Sequence, residues 1–244
     1  MKAIIPAAGY ATRLWPLTKE TPKHLLEVKD KPIISHVIGK ICELRDVDEI
    51  YIVTNGKFYP VFAEWLDGFS CRIPVRLLND HTSSNDDRLG QIGDINLTLD
   101  HFKVDDDLIV VAGDNLFNFS LSNVYQLFMR KRSVVNALYD VKSIEFARHL
   151  GTVIVNSNGT FKEFQEKVPE PKSTLASMGI YFFPREKLGL LKDYLDEGNS
   201  PDKMGFFLSW LIAKEQVFGH TYTEKWFDIG WKESLEEARK EFEG

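Results

Sequence analysis

The sequence predicts an α/β protein built on a doubly wound, mostly parallel sheet with helices on both faces. Short apolar segments alternate with segments of helical periodicity from residue 1 to about residue 140, which is typical of such sheets. The segment LIVVA at residues 108–112 is uniformly apolar, as expected of a strand that is covered on both faces. A loop of small residues follows the first segment, and ligands of these sheets bind at such loops. We therefore expect a Rossmann-like core.

The elements of the first half follow from residue periodicity. Runs of aliphatic and β-branched residues predict strands at residues 2–5, 49–54, 74–78 and 108–112. Apolar residues spaced three or four apart predict helices at residues 33–44, 58–66, 92–102 and 124–129.

From about residue 150 the pattern becomes richer in strands. Asn158-Gly159 lies between two short segments and is a strong hairpin signal. Strands are predicted at residues 152–156, 160–165, 176–183 and 217–223, and helices at residues 185–196, 204–214 and 231–242. Because no repeat, low-complexity tract or linker interrupts the chain, we interpret residues 1–244 as one domain with a β-rich substrate-binding extension in its second half.

Composition limits the classes of function. The chain has 244 residues, 43% of them hydrophobic and 27% charged, and a formal net charge of −6, so no nucleic-acid partner is expected. There is no signal-peptide pattern and no long apolar stretch, and we expect a cytoplasmic protein without a membrane partner. Cys42 and Cys71 lack metal-binding spacing and are interpreted as reduced core thiols. Assembly into a homo-oligomer is left open.

The loop after the first predicted strand has the residue types of a triphosphate-binding site. Residues 7–13 (AAGYATR) are mostly small, so backbone N–H groups can approach and bind an anion. Arg13 and Lys23 add two cations. The loop is neither a Walker A loop nor a dinucleotide-binding turn, because no Gly-Lys-Ser/Thr follows and Gly9 is its only glycine. From the residue types alone, an ordinary strand–loop connection is the alternative.

Two aspartates are candidate ligands of a metal ion. Asp114 directly follows the apolar strand at residues 108–112, and Mg²⁺ prefers one or two carboxylates together with phosphate oxygens and water. Capping of the next helix is the alternative for Asp114. Asp228 lies just before Gly230, where an isolated aspartate is usually a turn residue. The first loop, Asn79 and Asp114 all follow predicted strands, so we expect them in one cleft.

Four ordered motifs resemble those of the sugar-1-phosphate nucleotidylyltransferases, and together they cover essentially the whole chain. The first motif is AAGYATRLWPLT at residues 7–18, followed by PKHLL at residues 22–26. Ala11 stands where the family usually has a second loop glycine. The remaining motifs are GDN at residues 113–115, the segment from Gly151 to Tyr181, and WFDIG at residues 226–230.

The resemblance implies a role for each matching position. The residues implied in nucleotide binding are Ala8, Gly9, Ala11, Thr12, Arg13, Lys23, Asn79 and Arg88. Those implied in sugar-phosphate binding are Gly151 and Glu166, on the sugar, and Lys167, on its phosphate. The implied catalytic residues are Arg13, Lys23, Asp114 and Asp228, of which the two aspartates would bind Mg²⁺.

The sugar-phosphate motif departs from the family pattern at two positions. Val168 replaces the proline that usually follows Lys167, and Leu150 replaces an aromatic residue that often precedes the glycine. The pattern therefore does not identify the sugar. For the pair Glu166-Lys167 itself, a solvated strand edge is the alternative interpretation.

The base-reading loop matches the family least well. Residues 79–91 form a longer segment than usual, with Asn79 in place of a glutamine and Arg88 near the position of a glycine. A solvated polar loop is an equally good interpretation. The resemblance favours dTTP or UTP, and the altered loop leaves CTP with a phosphorylated alcohol or polyol as an alternative.

The resemblance implies a Mg²⁺-dependent enzyme that condenses a nucleoside triphosphate with a sugar 1-phosphate to give a nucleotide sugar and pyrophosphate. Residues 1–140 would bind the nucleotide, residues 141–230 the sugar phosphate, and residues 231–244 would form a closing helix. A nucleotide-sensing subunit without turnover is the alternative from another class. The presence of both cations and both aspartates of the motif argues against it.

Overall fold

The computed structural model describes residues 1–243 and contains a nine-stranded sheet with helices on both faces. In chain order the strands are β1 Lys2–Pro6, β2 Glu27–Val28, β3 Lys31–Pro32, β4 Glu49–Thr54, β5 Val75–Asn79, β6 Leu108–Val111, β7 Asn115–Phe117, β8 Val134–Asp140, β9 Gly151–Val155, β10 Phe161–Glu166, β11 Leu175–Phe183, β12 Val217–Tyr222 and β13 Trp226–Asp228. The α-helices are α1 Ile33–Cys42, α2 Tyr59–Asp67, α3 Gly90–Phe102, α4 Ser122–Lys131, α5 Ile144–Ala147, α6 Gly189–Asp196, α7 Met204–Leu211 and α8 Lys232–Glu241. Short 3-10 turns cover Thr12–Leu14, Lys23–Leu25 and Arg185–Lys187.

The main path of the sheet runs in the order β5-β4-β1-β6-β11-β8-β12. The strands β5, β4, β1 and β6 pair in parallel, as do β8 and β12, whereas β11 runs antiparallel to its neighbours β6 and β8. The antiparallel pair β9–β10 joins the first half of β11 through the pairing of Ala176 with Thr152. The predicted doubly wound, mostly parallel fold is confirmed.

The two faces of the sheet carry separate apolar layers. The helices α1, α2 and α4 cover one face, and α3, α6 and α7 cover the other. All four residues of β6 are buried, because its side chains alternate between these layers. Burial of each large aliphatic or aromatic side chain contributes about 1.5–3 kcal/mol, so the central strands hold the loops at their carboxyl ends on a rigid base.

The closing helix α8 packs outside this sheet. Its residues Leu235 and Ala238 join a small apolar cluster with Phe227 of β13 and Ile33 at the start of α1. The strand β13 pairs with β7 in a separate two-stranded sheet. These contacts fix the last motif of the chain against the loop that follows β6.

Several elements differ from the sequence-based expectations. The strand β8 was not predicted, because Asn136 interrupts its apolar run. Asn136 is nevertheless fully buried, and its Nδ2 donates to the backbone carbonyl of Ile180 at 2.9 Å. The helix predicted at residues 185–196 is a 3-10 turn followed by α6.

The interpretation of both cysteines as core thiols is wrong for Cys71, which is exposed, while Cys42 is half-buried. Cys71 lies in the loop between α2 and β5, and its exposed side chain belongs to neither apolar layer. None of the helices within residues 1–243 is long and apolar enough to cross a bilayer.

Candidate active site

Two adjoining cavities open beyond the carboxyl ends of the central strands. The larger, which we call the first cleft, has a volume of about 460 Å³ and is lined by the loop after β1, the turn Lys23–Leu25, the start of α3 and the loop after β6. The second cleft, of about 230 Å³, lies among β9, β10, β11 and β13. Gln91 and Ala112 line both, so the two clefts meet beside the end of β6.

The structure brings most of the predicted site residues to these walls. The first cleft is lined by Ala8, Gly9, Ala11, Thr12, Arg13, Lys23, Arg88 and Asp114. The second is lined by Gly151, Glu166, Lys167 and Asp228. Asn79 lines neither, and its Oδ1 accepts a hydrogen bond from the backbone N–H of His81 at 2.8 Å. The base-reading role predicted for Asn79 therefore has no support from this geometry.

The first loop is held in place by side chains of the surrounding chain. Asn55 Nδ2 donates to the carbonyl of Ala8 at 2.7 Å, and Thr18 Oγ1 donates to the carbonyl of Ala11 at 2.8 Å. Ala11 adopts a left-handed conformation with φ of 46°, which costs an L-residue roughly 1–2 kcal/mol. Glycine adopts this conformation without that cost, which agrees with the glycine that the sugar-1-phosphate nucleotidylyltransferases usually have at this position.

Arg13 stands at the rim of the first cleft. Its guanidinium lies 5.3 Å from the centroid of the Trp231 ring, a cation–π contact that orients the side chain without neutralising it. Because Trp231 directly precedes α8, the closing helix positions a residue of the first motif.

Lys23 and Asp114 form an ion pair at the centre of the site, and each side chain is 18% exposed. Burial favours the neutral acid, yet Lys23 and a hydrogen bond from Asn115 hold the pKa of Asp114 at about 2. Burial lowers the pKa of Lys23, but the Asp114 carboxylate outweighs it and the net pKa is raised. At neutral pH both groups are therefore charged.

Asp228 lies beside Asp114, and it forms no salt bridge with a cation in the described part of the chain, residues 1–243. The pairing of β13 with β7 places Asp228 opposite Asn115, and the backbone N–H of Ile229 donates to the carbonyl of Asp114 at 3.1 Å. Burial and the Asp114 carboxylate raise the pKa of Asp228 to about 6. An under-compensated carboxylate next to a second carboxylate fits a divalent cation that takes its other ligands from phosphate and water. Within residues 1–243 no cluster of three or more acidic, histidine or cysteine side chains provides a metal site by itself.

The second cleft is shaped around Glu166. A Cβ on Gly151 would lie 2.7 Å from Phe164 Cζ and 3.0 Å from Glu166 Oε2, and a Cβ on Gly205 would overlap the same carboxylate. Lys203 Nζ lies 3.4 Å from Glu166 Oε1. Two glycines therefore leave room for one acceptor carboxylate, with Lys167 and Lys203 as cations on the same wall.

Arg88 is anchored by residues around the first cleft. Its Nε donates to Asp202 Oδ1 at 3.0 Å and a terminal nitrogen donates to the carbonyl of Asn85 at 2.8 Å. Asp87 accepts hydrogen bonds from the backbone and side chain of both Ser83 and Ser84. These bonds order the loop, but residues 83–88 are all exposed, so the alternative of a solvated polar loop stays open beside the base-reading prediction.

The sequence analysis missed two buried titratable residues on the wall of the first cleft. His24 is 2% exposed, and burial together with Lys23 lowers its pKa to about 3, so the imidazole is neutral. Asp94 is 5% exposed on α3, beside the apolar residues Ile92 and Ile95 of the same helix. The apolar stripe of α3 runs through residues 92, 95 and 99, and Asp94 lies off it, so the periodicity of the sequence gives no signal for its burial.

Fold and site together define an α/β protein with a small-residue loop after β1 and a pair of adjacent carboxylates where two clefts meet. The chain matches the nucleotidyl transferase family over residues 2–243, and it belongs to that family. The predicted resemblance to the sugar-1-phosphate nucleotidyltransferases is confirmed.

Curated relatives carry related names. The chain is 29% identical over 240 residues to the bifunctional protein GlmU of Methanocaldococcus jannaschii, covering 98% of this chain but 54% of that protein. It is 25% identical to the UTP–glucose-1-phosphate uridylyltransferase AglF of Haloferax volcanii, covering 98% of this chain and 96% of the relative. A glucose-1-phosphate thymidylyltransferase of Neisseria meningitidis is 28% identical, with 98% of this chain and 81% of the relative covered.

Solved structures share the fold. A Bacillus anthracis protein described as a candidate glucose-1-phosphate thymidylyltransferase superposes with a TM-score of 0.85 at 25% identity, covering 98% of this chain and 94% of that one. A UTP-bound UGPase from Acinetobacter baumannii superposes with a TM-score of 0.79 at 20% identity, covering 98% and 92% of the two chains.

Proposed function

We propose that this protein transfers a nucleotidyl group from a nucleoside triphosphate to a sugar 1-phosphate, releasing pyrophosphate. One observation carries the proposal: Lys23, Asp114 and Asp228 lie where a first cleft with an anion-binding loop meets a second, smaller cleft. A triphosphate and a phosphomonoester can thus approach each other across the same charges.

The proposed reaction is a direct displacement. An oxygen of the sugar phosphate attacks the α-phosphorus, and the bond from that phosphorus to the pyrophosphate oxygen breaks. No general base is needed, because the attacking phosphate oxygen is already ionised near neutral pH. Catalysis then depends on positioning and on neutralisation of charge.

Each cation has a separate task in this proposal. Lys23 neutralises the α-phosphate, and its ion pair with Asp114 fixes the direction of its ammonium. Arg13, held by Trp231 at the rim, stabilises charge on the departing pyrophosphate. Lys167, on the wall of the second cleft, binds the phosphate of the sugar.

Asp114 and Asp228 would hold Mg²⁺ in this proposal. When bound, the ion would polarise the phosphoryl oxygens and screen the two anionic substrates from each other. The residues fit this ion, because Asp228 is a carboxylate that lacks a paired cation and adjoins Asp114.

The relatives support the reaction class more strongly than the base. Two of the curated relatives named above are a uridylyltransferase and a thymidylyltransferase, which agrees with dTTP or UTP. A glucose-1-phosphate adenylyltransferase of Fusobacterium nucleatum is equally similar at 26% identity. The relatives' names therefore support glucose 1-phosphate as the first sugar to test, and they leave the base to the residues of the first cleft.

Pyrophosphate release tests the proposal. Five nucleoside triphosphates, ATP, GTP, CTP, UTP and dTTP, are each combined with glucose 1-phosphate, N-acetylglucosamine 1-phosphate, mannose 1-phosphate and a phosphorylated polyol. We expect release that requires both substrates and Mg²⁺. Lys23→Met should lower turnover by more than about tenfold, since a direct phosphate contact in the transition state is lost. Lys162→Met, at an exposed position on β10, is the matched control and should leave the rate unchanged. If none of these combinations releases pyrophosphate, the proposal is contradicted.

A further inference from the structure

A pair of buried acids that the proposed transfer does not use lies at the wall of the first cleft, with one of the two, Asp94, lining it. Asp94 on α3 lines the cleft and is 5% exposed, and Asp80, directly after β5, is 7% exposed. Asp80 Oδ1 accepts a hydrogen bond from the backbone N–H of Thr82 at 2.7 Å. Asp80 Oδ2 and Asp94 Oδ1 are both buried and find no hydrogen-bond partner among residues 1–243. A buried acceptor without a partner calls for a specific explanation.

One shared proton satisfies both orphaned oxygens. Two ionised carboxylates within hydrogen-bonding reach repel each other, so one of them keeps its proton. Burial and the neighbouring Asp80 raise the pKa of Asp94 to about 8. Asp94 therefore keeps its proton at neutral pH and can donate it to Asp80, which leaves the other oxygen of Asp94 to accept a hydrogen bond from a ligand in the cleft.

The pair lies at the end of the cleft that is remote from the phosphate-binding charges. Asp80 follows β5 and Asp114 follows β6, and the strands β4 and β1 lie between these two strands in the sheet. Because neighbouring strands lie about 4.8 Å apart, three strand spacings separate the two ends of the cleft. A nucleotide whose phosphates lie at Lys23 and Arg13 consequently extends its base towards Asp94.

We propose that Asp94, backed by Asp80, reads the base and selects a nucleoside triphosphate whose base carries an exocyclic amino group. This inference rests on the proposed function for the placement of the phosphates. The amino group of cytosine, adenine or guanine projects outward and can donate to a lone acceptor. In uracil and thymine the N3–H is recessed between two carbonyl oxygens, which would face the acidic oxygen. The proposal departs from the preference for dTTP or UTP that the resemblance implies.

The test measures binding separately from turnover. Isothermal titration calorimetry gives the Kd of ATP, GTP, CTP, UTP and dTTP for the whole chain in the presence of Mg²⁺, and pyrophosphate release gives the corresponding kcat/KM. For at least one amino-bearing nucleotide we expect a Kd about tenfold or more below those of UTP and dTTP, and a kcat/KM higher by a similar factor. The reason is that a site built to pair an N–H group discriminates strongly against a ligand that lacks it.

Three variants separate base reading from folding. Asp94→Leu removes the acceptor and should make the five nucleotides nearly equal. Asp94→Asn can donate to Asp80 with its amide nitrogen and keep its carbonyl oxygen for the base, so it should retain the ranking. Asp100→Asn changes an exposed acid on the same helix and should alter neither affinity nor ranking.

Two results would overturn the base-reading role. In the first, the unmodified protein binds UTP or dTTP as tightly as the best amino-bearing nucleotide. In the second, a folded Asp94→Leu variant keeps the nucleotide ranking unchanged. The first comparison needs no variant and so does not depend on Asp94→Leu folding. If no pyrophosphate is released from any substrate pair while the binding ranking holds, the transferase proposal fails and the base-reading role stands.

Discussion

Replacing Lys23 by methionine should destabilise the ligand-free protein as well as inactivate it. The substitution keeps the aliphatic stem but leaves the Asp114 carboxylate without its cation. Removing one partner of a fully buried ion pair costs about 3–5 kcal/mol. Because each side chain here retains 18% exposure and water can reach the carboxylate, we expect about 2–3 kcal/mol. Protonation sets a ceiling near 4 kcal/mol, the approximate cost of neutralising an aspartate at pH 7.

Urea unfolding of four proteins measures this effect: the unmodified chain, Lys23→Met, Asp114→Asn and the double variant. The double variant removes both charges, so it should recover most of the free energy of unfolding that Lys23→Met loses while remaining inactive. The pH dependence has a defined sign. The depressed pKa of Asp114, about 2, contributes stability that is complete above its ordinary value and is lost as the pH falls towards 2. Lys23→Met should abolish that loss. Equal urea midpoints for Lys23→Met and the unmodified chain would refute the reasoning.

Three further predictions concern the same site. Asp228→Asn should lower turnover by more than about tenfold yet raise the free energy of unfolding of the metal-free protein at pH 7 by about 1–2 kcal/mol. The pKa of Asp228 is raised to about 6, so the cost of its ionisation accumulates as the pH rises from about 4 to 6 and is complete at pH 7; a destabilised variant in urea unfolding would contradict this. Ala11→Gly should stabilise the protein by about 0.5–1 kcal/mol by relieving the left-handed conformation of Ala11, and an unchanged or lower melting temperature would count against the strain. Arg13→Lys should lower kcat by about tenfold or more although it keeps the charge. The planar guanidinium lies over the Trp231 ring and would bind two phosphate oxygens at once, which an ammonium group cannot do. An unchanged kcat in steady-state kinetics would show that Arg13 does not act in the transition state.

The fold could be predicted from the sequence where the apolar pattern of a segment alone determines its secondary structure. The run at residues 108–112 reads as a central strand because both faces of β6 are buried. The strand β8 was missed because the burial of Asn136 depends on one hydrogen bond to Ile180, a partner that lies far along the chain. A polar residue in an apolar run is thus ambiguous until its tertiary partner is known.

The site could be predicted where function requires charge at the ends of strands. The small-residue loop and Asp114 follow β1 and β6 directly, and topology brings such ends together. The direction of the Asn79 side chain, at the end of β5, could not be predicted in the same way, because its Oδ1 accepts a local hydrogen bond from the backbone N–H of His81. The burial of Asp94 was not predicted, because its partner Asp80 lies on a different element of the fold.

An isotope experiment tests the proposed displacement most directly. Glucose 1-phosphate, or the sugar phosphate found active in the pyrophosphate assay, is prepared with all four phosphate oxygens as ¹⁸O and incubated with the preferred nucleoside triphosphate and Mg²⁺. Because the proposed attack forms a bond from a sugar-phosphate oxygen to the α-phosphorus, mass spectrometry should find every label in the nucleotide sugar and none in pyrophosphate. Label in pyrophosphate, or a nucleotide sugar that has lost labelled oxygens, would contradict the mechanism assigned to this site.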